Sequence, residues 1–95
     1  MTLEELKSKR SQIRRISEKH GVTNLRVFGS VVRGEQNGQS DLDLLVKMAP
    51  SRDLTDLVSF AQDMQAMMQV RVDVVSEGGL SPFLRDRIIA EAISL

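Results

Sequence analysis

A chain of 95 residues has room for one core and no second one, and 41% hydrophobic with 27% charged residues is the balance of a folded globular protein, not a disordered one. Lys and Arg number 13 and Asp and Glu 13, so a net charge of zero leaves no global field to draw in DNA, RNA or an anionic membrane. With no cysteine, disulfides, thiolate metal sites and a Cys nucleophile are excluded, and no apolar run approaches the roughly 18 residues that span a bilayer.

Thr2 and Glu5 have capping-box spacing, and Leu3, Leu6, Ile13 and Ile16 follow at helical intervals. Lys19 and His20 suit a helix end and Gly21 a left-handed stop, so the pattern predicts one helix over residues 3–20. The charged start MTLEELKSKR carries no apolar signal core, and a cytoplasmic protein is expected.

Leu25 to Phe28 reads as a short strand ending at Gly29-Ser30, with a helical turn at Val31 to Arg33. Glu35 to Ser40 is polar and holds a glycine, so a loop is expected. Asp41 to Val46 reads as a strand whose apolar Leu44-Leu45-Val46 should be covered on both faces. After the break at Ala49-Pro50-Ser51, the residues Leu54, Leu57, Val58, Ala61, Met64 and Met68 mark one helical face. Val70 to Val75 alternates as a third strand. Ser81 then caps a last helix with Pro82 in its first turn and Leu84, Ile88, Ile89, Ala92 and Ile93 on its apolar side. The order α-β-β-α-β-α over residues 1–95, as a single domain, predicts an α/β (α+β) fold with a small mixed sheet flanked by helices.

Three features can carry chemistry. Gly29-Ser30 stands where a strand gives way to a helical turn; glycine admits close approach of a ligand, and N–H groups at a helix start favour phosphate. Asp41 and Asp43 are two apart on a strand and so project from one face, where a cation would relieve their repulsion. Asp73, between Val72 and Val74, would join them if the strands are neighbours. Three carboxylates can hold metal ions for an in-line displacement, and one, Asp73, can take a proton from the attacking hydroxyl.

Each feature also has a plain reading. A Gly-Ser pair is commonly a turn, an Asp-x-Asp pair a solvated strand start, and Asp73 could face water. Arg33 either meets phosphate or pairs with a nearby carboxylate. His20 reads as a helix-end cation, and Met64, Met67 and Met68 as core or interface.

Taken together, Gly29-Ser30-Val31-Val32-Arg33-Gly34 and Ser40-Asp41-Leu42-Asp43-Leu44-Leu45-Val46 closely resemble the signature of the nucleotidyltransferase superfamily: Gly-Ser, ten residues, then Asp-x-Asp. Val72 to Val75 with Leu80-Ser81-Pro82 resembles the end of its minimal (MNT) branch, with Val32 where the family often has Ala. The resemblance implies metal ligands and catalytic carboxylates at Asp41, Asp43 and Asp73, and nucleotide binding by Gly29, Ser30 and Arg33. It implies Mg²⁺ or Mn²⁺, with ATP as co-substrate. It also implies an antitoxin role beside a helical HEPN-type toxin, with AMP transferred to a partner hydroxyl, a tyrosine being expected. The alternative is a non-catalytic antitoxin that masks its partner, using an adaptable Met-rich helix surface. A small-molecule acceptor ranks behind both, since a chain this short has no obvious second domain to hold one. No direct nucleic-acid binding and no membrane association are expected.

Overall fold

The computed structural model describes residues 2–35 and 42–95. The polar stretch from Gln36 to Ser40, expected as a loop, and Asp41 lie outside the described residues.

Thr2 caps the first helix as expected, its Oγ1 accepting the Glu5 N–H at 3.1 Å. The expected single helix over residues 3–20 is instead two, α1 (Leu3–Ser8) and α2 (Arg10–Lys19), broken at Lys9. The reason lies in the apolar spacing. One turn beyond Leu6 the inward positions fall on Lys9 and Arg10, which have no place in a core. Leu6 and Ile13, seven residues apart, are both buried on either side of that break. Gly21 closes α2 at φ +75°, and the Arg52 side chain lies where a Cβ would stand.

Strand β1 (Val22–Phe28) is longer than the predicted 25–28, because polar Thr23 and Asn24 continue it through an irregularity in its pairing. It leads into α3 (Ser30–Arg33). Strand β2 (Leu42–Met48) runs antiparallel to β1, and Leu44, Leu45 and Val46 are all fully buried, as their unbroken apolar run predicts.

Helix α4 (Leu54–Met68) opens with a reciprocal capping box between Asp53 and Asp56. Its buried residues are Phe60, Met64 and Met68, whereas Leu54 and Val58 are exposed. The inward stripe is thus rotated from the predicted face. A ladder of Phe60, Met64 and Met68 at four-residue spacing seats the helix on the core. The helix is the crossover that allows β3 (Val72–Ser76) to lie parallel to β2.

A 3₁₀ turn (Glu77–Gly79) leads to α5 (Pro82–Glu91), capped by Ser81 and with Pro82 in its first turn as expected. The helix ends sooner than its apolar pattern suggests. Ala92 is extended, and Ile93 and Ser94 form β4, pairing with Val27 and Arg26 of β1. No residue of α5 is fully buried, so its expected apolar side is not part of the core.

The sheet order is β3-β2-β1-β4. One face packs against α1, α2 and α4 and holds the core, which includes Val27, Leu42, Leu44, Val46, Phe60 and Met64. The other carries Arg26, Phe28, Asp43, Leu45 and Asp73 by strand parity. Arg26 there pairs with Glu77 of the 3₁₀ turn. Among the described residues no helix is long and apolar enough to cross a membrane.

Candidate functional site

Three strand ends meet on the second face: the C-terminal end of β1 and the N-terminal ends of β2 and β3. Asp43 stands opposite Phe28 on one side and opposite Asp73 on the other. Neighbours in register on adjacent strands are about 5 Å apart and project to the same face. The sheet therefore sets the Asp43 and Asp73 carboxylates side by side, one half-buried and the other exposed. Sequence parity puts Asp41 on the same side as Asp43, but its placement lies outside the described residues.

Gly29 ends β1 and begins α3 with φ +82° and ψ −152°. A Cβ built there would overlap Asp43 Oδ2 and lie 3.0 Å from Cγ. The glycine is therefore required twice, by its backbone conformation and by the Asp43 carboxylate resting on its Cα. Ser30, half-buried, is the first residue of α3.

The Gly29 N–H itself donates to Glu91 Oε2 at 2.9 Å. Arg33 Nη1 donates to Glu91 Oε1 at 2.6 Å, and Arg33 Nε to Glu35 Oε2 at 3.1 Å. Partial burial opposes ionisation of Glu91, but the Gly29 N–H and the Arg33 guanidinium outweigh it and hold the carboxyl below its ordinary range. Arg33, hydrogen-bonded to Glu91 and Glu35, is held more firmly charged than usual.

Of the residues singled out in the sequence, the fold brings Gly29, Ser30, Asp43 and Asp73 to one place. Arg33 stands beside them, bound to two carboxylates. Glu91 escaped sequence reasoning. Its one signal is position: seven residues after Leu84 and three after Ile88, it continues the α5 stripe that was read for its apolar members alone.

The turn, Asp43 and this stripe border an open pocket of about 320 Å³, with Phe28, Gly29 and Arg33 on the side of the turn and Leu84, Arg87, Ile88 and Glu91 on the helix side. A separate hollow of about 360 Å³ lies between α2 and the β1–β4 edge and contains none of these carboxylates. Among the described residues no three His, Cys, Asp or Glu side chains are close enough to form a metal cage. Asp43 and Asp73 do supply an oxygen-rich pair of the kind hard divalent cations accept, usually alongside phosphate oxygens.

Paired carboxylates on adjacent strands, one of them resting against a glycine turn at a strand–helix junction, are the arrangement expected of a nucleotidyltransferase. A family profile described as the nucleotidyltransferase domain matches residues 9–95. The chain is 37% identical over 95 residues to a candidate protein adenylyltransferase of Methanocaldococcus jannaschii, covering 100% of this chain and 99% of that one. It is 31% identical over 94 residues to the protein adenylyltransferase MntA of Thermococcus cleftensis, covering 98% and 95%. A solved structure of a candidate minimal nucleotidyltransferase superposes with a TM-score of 0.88 at 44% identity, covering 100% of this chain and 97% of that one. The chain belongs to the nucleotidyltransferase family. In fold alone it also resembles the complex of a tri-AMPylated Shewanella oneidensis HEPN toxin with its MNT antitoxin, at TM-score 0.70 and 18% identity over 93% of this chain and 69% of that one.

Proposed function

We propose that this protein transfers AMP from ATP to a hydroxyl of a HEPN-type toxin, a tyrosine by expectation, and so acts as the toxin's antitoxin. The observation that carries the reading is the register of Asp43 with Asp73, with Asp43 resting against Gly29 of the Gly29-Ser30 turn. The adenylyltransferase names of the relatives support the transferred group, and the AMPylated toxin complex supports the partner. A cytoplasmic setting belongs to the same reading.

The Gly29-Ser30 turn receives the triphosphate: Gly29, whose own N–H is held by Glu91, lets the backbone come close, and Ser30 offers its N–H and hydroxyl to align the α-phosphorus between the acceptor and the leaving group. Asp43 and Asp73, with Asp41 as the third carboxylate by sequence, would hold Mg²⁺ or Mn²⁺, which when bound neutralises charge on the reacting phosphates. Asp73, the more exposed of the described pair, takes the proton from the incoming hydroxyl. The hydroxyl oxygen bonds to the α-phosphorus, the bond from that phosphorus to the bridging oxygen breaks, and pyrophosphate leaves.

The test is intact mass spectrometry of the purified toxin after incubation with this protein, ATP and Mg²⁺. Added AMP is expected with the wild type. Asp43→Asn and Asp73→Asn should each slow transfer by about 100-fold or more while keeping the circular dichroism of the wild type. Transfer at the wild-type rate by Asp43→Asn would overturn the assignment.

One observation favours masking as a second reading, and it is not the Met-rich surface expected from the sequence. Met64 and Met68 are buried in the core, whereas Phe83 and Leu84 of α5 are 91% and 50% exposed beside the site. Neutralisation by an Asp43→Asn protein that leaves the toxin's mass unchanged would select masking.

A further inference from the structure

The triphosphate of ATP would bring several negative charges into a cavity already bordered by Asp43 and Glu91. A metal on the carboxylate side would neutralise part of that charge, and a side-chain cation on the helix side would offset more of it. Arg33, the sequence's candidate, also lines the cavity, but it is tied to two carboxylates: Nη1 to Glu91 at 2.6 Å and Nε to Glu35 at 3.1 Å. Two carboxylates on one guanidinium leave it little net attraction for a third anion.

Helix α5 provides another cation. Leu84, Arg87, Ile88 and Glu91 are spaced three, four and seven apart, which places them on one face, and all four line the cavity. Glu91 at the end of this stripe is pinned to the Gly29 N–H at 2.9 Å. Arg87 lies four residues earlier, about 6 Å along the helix axis, well within the span of an arginine side chain. Among the described residues the Arg87 side chain makes no hydrogen bond and no ion pair, and its charge reaches Glu91 only through space. Its planar fork of donors suits phosphate oxygens better than a point charge would.

We infer that Arg87 is the phosphate-binding cation of this site, closing on the triphosphate from the side opposite Gly29, while Arg33 and Glu91 hold α5 against the turn so that Arg87 faces it. The assignment rests on the reading that ATP is the substrate. It gives α5 a role although none of its residues is fully buried. It is the wall of the nucleotide cavity, and the ion pair at its C-terminal end sets the wall's distance from the sheet.

Isothermal titration of ATP with Mg²⁺ into the full chain tests this, using the wild type, Arg87→Ala, Arg87→Lys and Arg85→Ala. Arg85 is on the same helix but does not line the cavity. Arg87→Ala should weaken ATP binding about tenfold or more, Arg87→Lys should recover part of the loss, and Arg85→Ala should match the wild type. Thermal midpoints within a few degrees of the wild type would accompany these results. Wild-type affinity in Arg87→Ala, or an equal loss in Arg85→Ala, would overturn the role of Arg87 and leave the nucleotide reading standing. A wild-type protein that binds no ATP would overturn both.

Discussion

At position 29 a side chain has no space and no comfortable backbone. The residue sits at φ +82°, and the Asp43 carboxylate occupies the direction a Cβ would take. Gly29→Ala therefore combines strain in the left-handed region with displacement of a proposed metal ligand. It should cost about 1–3 kcal/mol in a urea titration and reduce AMP transfer more than that destabilisation explains. A variant with wild-type stability and transfer would show that Asp43 need not lie where it does. The importance of this glycine was legible in the sequence as a strand-to-turn junction. Its contact with Asp43 was not, since 14 positions of chain separate the two.

Among the elements, α2 and α4 are joined by a polar tie that the sequence presented as two unrelated residues. His20 was read as a cation at a helix end. It does cap α2, but it is also nearly buried, edge-on to Phe60, with Nε2 2.6 Å from Asp63 Oδ2. The contact with His20, aided by Lys19, holds the Asp63 carboxyl below its ordinary value of 3.8. A lowered carboxylate pKa contributes stability that is present above the unfolded value and is lost as pH falls through the folded one. Asp56, held down by the Asp53 backbone N–H and by Arg52, and Glu91 act in the same direction. The thermal midpoint should therefore fall as pH drops below about 4, and less steeply in Asp63→Asn than in the wild type. Superimposable acid profiles for the two proteins would remove Asp63 from the account. The elements themselves were legible where an unbroken apolar run marked a buried strand, as in β2, and where a cap marked a helix start, as at Ser81 of α5. They were misjudged at Lys9 and Leu54, where packing on the sheet, not local periodicity, chose which residues turn inward.

For the whole molecule, the site is assembled from the ends of three strands and the stripe of one helix, so a ligand bound there ties the fold together. ATP with Mg²⁺ at about 100 times its Kd should add roughly 2.7 kcal/mol to the stability of the wild type. In a domain of this size that corresponds to a rise of about 10–20 °C in Tm. The rise should require Mg²⁺ and disappear in Asp43→Asn. A shift that persists in the variant would place the nucleotide away from Asp43.

The carboxylates, the Gly-Ser turn and the kind of elements that carry them were determined by the sequence alone, because strand parity, helix caps and glycine turns act over a few residues. Asp43 and Leu45 share a face by parity, and Ser81 caps α5 by its own hydroxyl. The tertiary structure alone decided that Asp73 stands in register with Asp43, that β4 completes the sheet, and that Glu91 reaches the N–H of Gly29, 62 residues earlier in the chain. Those pairings depend on strand order and on how helices settle over a shared core. The contacts are made across the fold, between residues whose local sequence patterns are complete without them.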